Sequence, residues 1–194
     1  GLLLHEAIGH RLEGDRLLSQ SEGQTFKGQI GKRILNVDLN IRDNPRLKKW
    51  NGKKCLGAYD FDDEGMQSQN ALLVENGILK GFLSSRSALT KRGFVPNGHG
   101  RNAKHQRPIS RMGVLHIESK KGIPMQRLKE MLIREIIKQK KPFGLIIYDT
   151  NGGETDTSSY NFQAFSGQID FASLVYPDGS EEVVRGINIV GTPL

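Results

Sequence analysis

The stretch Leu72-Leu73-Val74-Glu75-Asn76-Gly77-Ile78-Leu79-Lys80-Gly81-Phe82-Leu83 decides the fold class. Two short apolar, β-prone runs flank Asn76-Gly77, a dipeptide that accepts positive φ at both central positions of a type I′ turn. The stretch therefore predicts a β-hairpin. The same logic applies near the end of the chain, where Pro177-Asp178-Gly179-Ser180 separates residues 163–176, broken near Ser166-Gly167, from residues 182–190. Strands that arrive as hairpins, with few helices between them, imply antiparallel sheet and an α+β fold. Further strands are expected at residues 34–39, ended by Asp43-Asn44-Pro45, at residues 114–118, and at residues 143–148 as a buried strand. A short helix is expected at residues 84–91. One long amphipathic helix follows Pro124, with Met125, Leu128, Met131, Leu132, Ile136 and Ile137 at helical spacing as a core-packing stripe.

Composition limits the function classes. The 194 residues are 36% hydrophobic and 25% charged, the balance of a globular protein forming one domain, and no apolar run approaches the roughly 20 residues that span a bilayer. A single cysteine, Cys55, excludes an internal disulfide framework and fits a reducing, cytoplasmic compartment. The net charge of +7 raises the possibility of a nucleic-acid partner. The basic clusters at Arg46 to Lys49, Lys53-Lys54, Lys120-Lys121 and Lys138 to Lys141 are scattered, however, and carry little of the aromatic interleaving that stacks bases. The last cluster also falls where a helix C-terminus favours cations. Solvated surface accounts for them better than nucleic-acid binding.

The chemistry concentrates in Gly1-Leu2-Leu3-Leu4-His5-Glu6-Ala7-Ile8-Gly9-His10-Arg11-Leu12-Glu13-Gly14-Asp15. Two imidazoles and a carboxylate this close are the parts of a zinc hydrolase site, with His5 and His10 as ligands and Glu6 as the proton acceptor. The familiar spacing is H-E-x-x-H. Here the histidines stand five apart, which on a regular helix separates them by roughly 140° rather than roughly 40°. Gly9 offers a way round, because glycine lets a helix spanning residues 2–18 bulge or end there. The competing account is an ordinary amphipathic helix start, with His5 buried and His10 solvated. Glu13 is either a solvent-facing glutamate or a partner that orients a ligating ring.

Other candidates are weaker. Cys55, His99 and His105 are each a conceivable third ligand. The acidic cluster Asp60, Asp62, Asp63 and Glu64 lacks calcium-loop spacing and fits turn and hydrogen-bond duties better than a cation. Residues 93–111, with His99, Arg101, His105, Arg107 and Arg111, read as a long loop on the substrate side, and residues 19–31 as a flap. Gly152-Gly153 lacks the lysine of a phosphate loop.

The run HEAIGHRLEGD resembles the metal-site signature of the TldD/PmbA family of zinc metalloproteases, which read H-E-x-x-x-H followed by a Leu-Glu-Gly stretch. Asp62-Asp63-Glu64-Gly65, residues 73–82, Gly98 to Arg101, Pro108 to Met112 and Gly152-Gly153 match in the same order. The resemblance implies a zinc metallopeptidase in which His5 and His10 hold Zn2+ and Glu6 serves metal-activated water as general base. It also implies peptide or unfolded-protein substrates and a homo- or heterodimer with a related subunit. The family label "modulator of DNA gyrase" implies peptide processing rather than DNA chemistry. Family members are more than twice this length, so the chain is expected to be a piece of a larger protein. The third ligand is then a cysteine beyond Leu194. The alternative is a non-catalytic member or fragment that serves as an assembly partner.

Overall fold

The structure, a computed structural model, describes residues 1–21, 25–86, 93–157 and 164–192. In chain order its strands are β1 (Leu39–Asp43), β2 (Lys49–Trp50), β3 (Lys53–Lys54), β4 (Ala71–Glu75), β5 (Ile78–Leu79) and β6 (Gly100–Arg101). They continue with β7 (Ile109–Ser110), β8 (Leu115–Ser119), β9 (Gly144–Thr155), β10 (Phe165–Val175), β11 (Glu181–Val184) and β12 (Ile187–Gly191). The α-helices are α1 (Leu2–Ala7) and α2 (Met125–Lys138). Every strand pair is antiparallel. The α+β expectation holds.

One sheet runs β5-β4-β1-β8. In the second four-stranded sheet β10 is central, pairing with β9 and with β12 and β11, while β2-β3 and β6-β7 form two small two-stranded sheets. The two hairpins expected from turn chemistry are present. Asn76 and Gly77 both take positive φ, 52° and 76°, between β4 and β5, and Gly179 turns β10 into β11. A hairpin not foreseen in the basic stretch joins β2 to β3 through Asn51-Gly52, again with positive φ at both residues.

Four expectations need correction. Residues 34–39 do not form a strand; β1 begins at Leu39. The Asn36 side chain accepts a hydrogen bond from the Asp38 amide, and the Leu39 amide reaches the Asn36 carbonyl, so a local turn wins over the apolar alternation. The N-terminal helix stops at Ala7 and gives way to short 3₁₀ turns at Gly9–Leu12 and Gly14–Leu18. The stripe on α2 is only partly core: Ile136 is buried and Leu132 half-buried, whereas Met125, Leu128, Met131 and Ile137 are exposed. Leu132 and Ile136 reach Gly144, where a Cβ would stand 2.7 Å from one and 2.8 Å from the other. The strand expected at residues 143–148 is not buried either, since Phe143 and Tyr148 are exposed. The helix expected at residues 84–91 lies mostly outside the described residues.

The main core sits over the first sheet. Ile41, Leu73, Val74 and Leu79 pack with Ala7, Ile8 and Leu12 from the N-terminal segment and with Phe82 and Leu83. The turn after α1 is tied down twice, by Gly14 N–H to the Leu83 carbonyl and by Leu83 N–H to the Leu12 carbonyl. Arg11, itself buried, donates to the backbone oxygens of Glu6 and Ala7, carbonyls at the end of the helix. The histidine segment is thus clamped between both sheets.

Candidate metal centre

α1 lies across β9 and β10 of the second sheet. Its seat is a cross-strand pair of glycines, Gly153 and Gly167, directly opposed in the β9–β10 register. A Cβ on Gly167 would stand 2.5 Å from Leu3 Cδ2, and one on Gly153 would stand 2.6 Å from Glu6 Cγ. Leu3 and Glu6 are three apart and share a helix face. The bare backbone beneath them brings the helix down onto the sheet. This close approach also delivers Thr155 of β9, whose hydroxyl lies 2.6 Å from Glu6 Oε2 and 2.7 Å from the Glu6 carbonyl oxygen.

Gly9 solves the spacing problem, though not through unusual φ. Its φ is not positive; a Cβ there would stand 2.4 Å from Met112 Sδ and 3.1 Å from Leu115 Cδ2. The helix breaks at Ile8, with φ −126°, and the following 3₁₀ turn swings His10 back towards His5. The two imidazole rings meet edge to face, 4.8 Å between centroids. His5 Nε2 lies 3.9 Å from Glu6 Oε1, and His10 Nε2 lies 3.6 Å from Glu6 Oε2. One donor atom from each of His5, Glu6 and His10 falls within 4.8 Å of the others, and among the described residues these three form the convergent set of metal-binding side chains.

Electrostatics favour ligation. Burial pushes the His5 pKa below its usual value and the neighbouring His10 adds to this, against the opposing pull of Glu6, Glu13 and Asp43. The neutral imidazole that results is the form that binds a metal. Glu13, 1% exposed, resolves its own ambiguity in favour of orienting the ring. Its Oε1 lies 3.0 Å from His10 Nδ1, while Arg16 Nε and Arg111 Nη1 donate to Oε2 at 2.8 and 3.1 Å. Burial alone would raise the Glu13 pKa. The His10 hydrogen bond and the charges of His10, Arg16 and Arg111 outweigh it and hold the carboxyl below its ordinary range. An ionised carboxylate only accepts, so His10 Nδ1 is the donor in this pair and Nε2 is the ring nitrogen that faces Glu6. If a metal binds there, Glu13→Gln is accordingly expected to weaken its affinity by about 10- to 100-fold in a chelator-competition titration. An unchanged affinity would remove the orienting role.

The remaining sequence candidates are placed elsewhere. His99 is fully buried, with Nε2 3.3 Å from Asp43 Oδ1 and Nδ1 against Asn97, a structural pairing away from the histidine cluster. His105 is exposed, on the loop between β6 and β7. Cys55 lines a cleft that His5 also lines but does not join the convergent set. The acidic cluster does hydrogen-bond work: Asp62 accepts from the amides of Glu64, Met66 and Gly100, and Asp63 from Arg101 and the Asn102 amide. From the 93–111 stretch, Arg111 reaches the centre through Glu13. Sequence reasoning missed Thr155, which carries no local signal, and read Gly152-Gly153 as a failed phosphate loop and a family match, not as the seat of a helix.

Comparison with known proteins places the chain in a family. Residues 1–194 match the family described as the PmbA/TldA metallopeptidase C-terminal domain. The chain belongs to that family. A metalloprotease of Methanothermobacter thermautotrophicus is 29% identical over 195 residues, covering 100% of this chain and 38% of the relative. A zinc metalloprotease TldD homolog of Saccharolobus solfataricus is 28% identical over 195 residues, covering 100% of this chain and 39% of its own length. Among solved structures, TldE from Thermococcus kodakarensis superposes with a TM-score of 0.65 at 19% identity, over 98% of this chain and 39% of that one, which shows a shared fold. The PmbA/TldA-type chain thus spans about two fifths of the length of the curated relatives it matches. Among its described residues, no helix is long and apolar enough to cross a membrane.

Proposed function

We propose that the chain carries the catalytic centre of a zinc-dependent peptidase acting on peptides or unfolded segments. His5 and His10 hold the ion and Glu6 is the general base. The observation that carries this reading is the convergence of three donor side chains, with His10 Nδ1 held by Glu13 so that Nε2 faces inward. The names of the relatives support a metal-dependent protease, and one of them names zinc. Two imidazoles beside a carboxylate suit the borderline character of zinc.

Zinc bound there would polarise the scissile carbonyl and activate water near neutral pH. The chain's own residues do the rest. The Glu6 carboxylate, 5% exposed, takes the proton of the attacking water and returns it to the departing amine. Thr155, with one proton to share between the Glu6 carboxylate and the Glu6 carbonyl, holds the base in place. The same reading includes a third protein ligand, a cysteine beyond Leu194, and a dimer with a related subunit.

Metal analysis by mass spectrometry tests the proposal. About one zinc per chain is expected, lost in His5→Ala and in His10→Ala. Metal absent from this chain but present in a version extended at its C-terminus would assign the third ligand to the extension. Metal absent from both would overturn the proposal and leave the assembly-partner reading.

A further inference from the structure

Beside the histidine cluster lies an open cleft of about 730 Å³, walled by α1 on one side and by β8, Trp50 and residues 55–57 on the other. His5 is part of its wall, so the cleft and the candidate metal centre are continuous. Its lining contains no Asp, Glu, Lys or Arg side chain, although such residues make up 25% of the chain. Instead it shows large apolar groups to solvent: Leu4 is 38% exposed, Trp50 43% and Leu56 91%. Trp50 leans on His116, the ring centroids 5.4 Å apart, which props the indole at the rim. Gly57 and Gly113 keep the floor shallow; a Cβ on Gly57 would stand 2.1 Å from the Gly113 carbonyl oxygen.

We infer that this cleft is a specificity pocket that takes an uncharged apolar side chain, aliphatic or aromatic, of the peptide whose scissile bond lies at the His5–Glu6–His10 cluster. The inference rests on the peptidase reading and gives it a substrate preference. The physical argument is one of complementarity. An apolar side chain covers Leu4, Trp50 and Leu56 and releases their water, with about 25 cal/mol gained per Å² of apolar surface covered. A carboxylate or ammonium placed there loses hydration, and no Asp, Glu, Lys or Arg side chain in the lining offsets that loss. The volume lies within the roughly 300–1,000 Å³ range typical of ligand pockets, ample for one side chain and part of its backbone.

Trp50 is the single tryptophan of the chain, so its emission reports occupancy of the cleft without any turnover. The experiment uses the zinc-loaded chain carrying Glu6→Gln, titrated with blocked tripeptides Gly-Leu-Gly, Gly-Phe-Gly, Gly-Asp-Gly and Gly-Lys-Gly. The Leu and Phe peptides are expected to give a saturable blue shift with affinity at least about 10-fold tighter than the Asp and Lys peptides. Leu56→Glu, at a position too exposed to disturb folding, should weaken the Leu peptide and favour Lys over Asp. No emission change with any peptide, equal affinities for all four, or indifference to Leu56→Glu would each overturn the pocket. Hydrolysis of longer peptides bearing the same four residues by the unaltered chain separates the two ideas. Ranked binding without cleavage, both by this chain and by the version extended at its C-terminus, would sink the peptidase reading and keep the pocket. Cleavage at equal kcat/KM for all four would sink the pocket and keep the peptidase.

Discussion

Glu6→Gln is expected to leave zinc bound and to lower kcat/KM for peptide hydrolysis by about 10²- to 10⁴-fold, the range that a positioned general base contributes. Glutamine matches glutamate in shape, so α1 stays on its glycine seat, and the Thr155 hydroxyl can still donate to the side-chain oxygen. What disappears is the ability to take a proton. The change leaves the proposed ligands His5 and His10 in place, so metal content should move little while turnover collapses. Circular dichroism and zinc analysis on the same preparation keep the comparison clean. A loss confined to KM would assign Glu6 to substrate binding. Unchanged kcat/KM would mean the base lies elsewhere. Thr155→Val should reproduce part of the loss and Thr155→Ser little of it, because serine keeps the hydroxyl that reaches Oε2.

How far these roles could be read from sequence depends on how far apart the partners stand. Asn76-Gly77 and Gly179 announce themselves because positive φ is a property of the residue and its neighbours. The His5–Glu6–His10 trio is legible for the same reason, since all of it lies within six residues. The geometry that makes a spacing of five workable is not local. It depends on Met112 and Leu115 pressing on Gly9, more than 100 residues downstream. Thr155 meets Glu6 across 149 positions and Arg111 meets Glu13 across 98, pairings that no window of sequence displays. The α2 stripe shows the converse limit. Helical periodicity identifies a face, but how much of it is covered depends on the sheet beneath, and here β9 covers Leu132 and Ile136 while leaving Met125, Leu128 and Met131 uncovered. At residues 34–39, an apolar alternation lost to a single asparagine able to hydrogen-bond its own turn.

Gly153→Val should unseat the centre, whereas Gly152→Val, one residue away, should be nearly silent. By strand propensity alone both changes favour β9, since valine suits a pleated strand and glycine does not. Alternation places the two positions on opposite faces. At Gly152 a new Cβ meets only the mobile end of Gln168, 3.2 Å away, which can swing aside. At Gly153 it would stand 2.6 Å from Glu6 Cγ and 2.8 Å from the Ser166 carbonyl oxygen. The second of these is backbone in the partner strand and cannot yield without breaking the register. Glu6 is therefore driven off the sheet, and α1 with it. Overpacking of this kind costs about 1–3 kcal/mol, and for a chain of this size the upper end lowers Tm by about 6–12 °C. Because α1 carries His5, the displacement should also remove zinc, so Gly153→Val is expected to lose both metal and stability while Gly152→Val keeps both. Equal losses in the two variants would show that the glycines serve the strand backbone and not the helix. Full zinc retention in Gly153→Val would show that the metal-binding side chains do not depend on the close approach of α1 to β9.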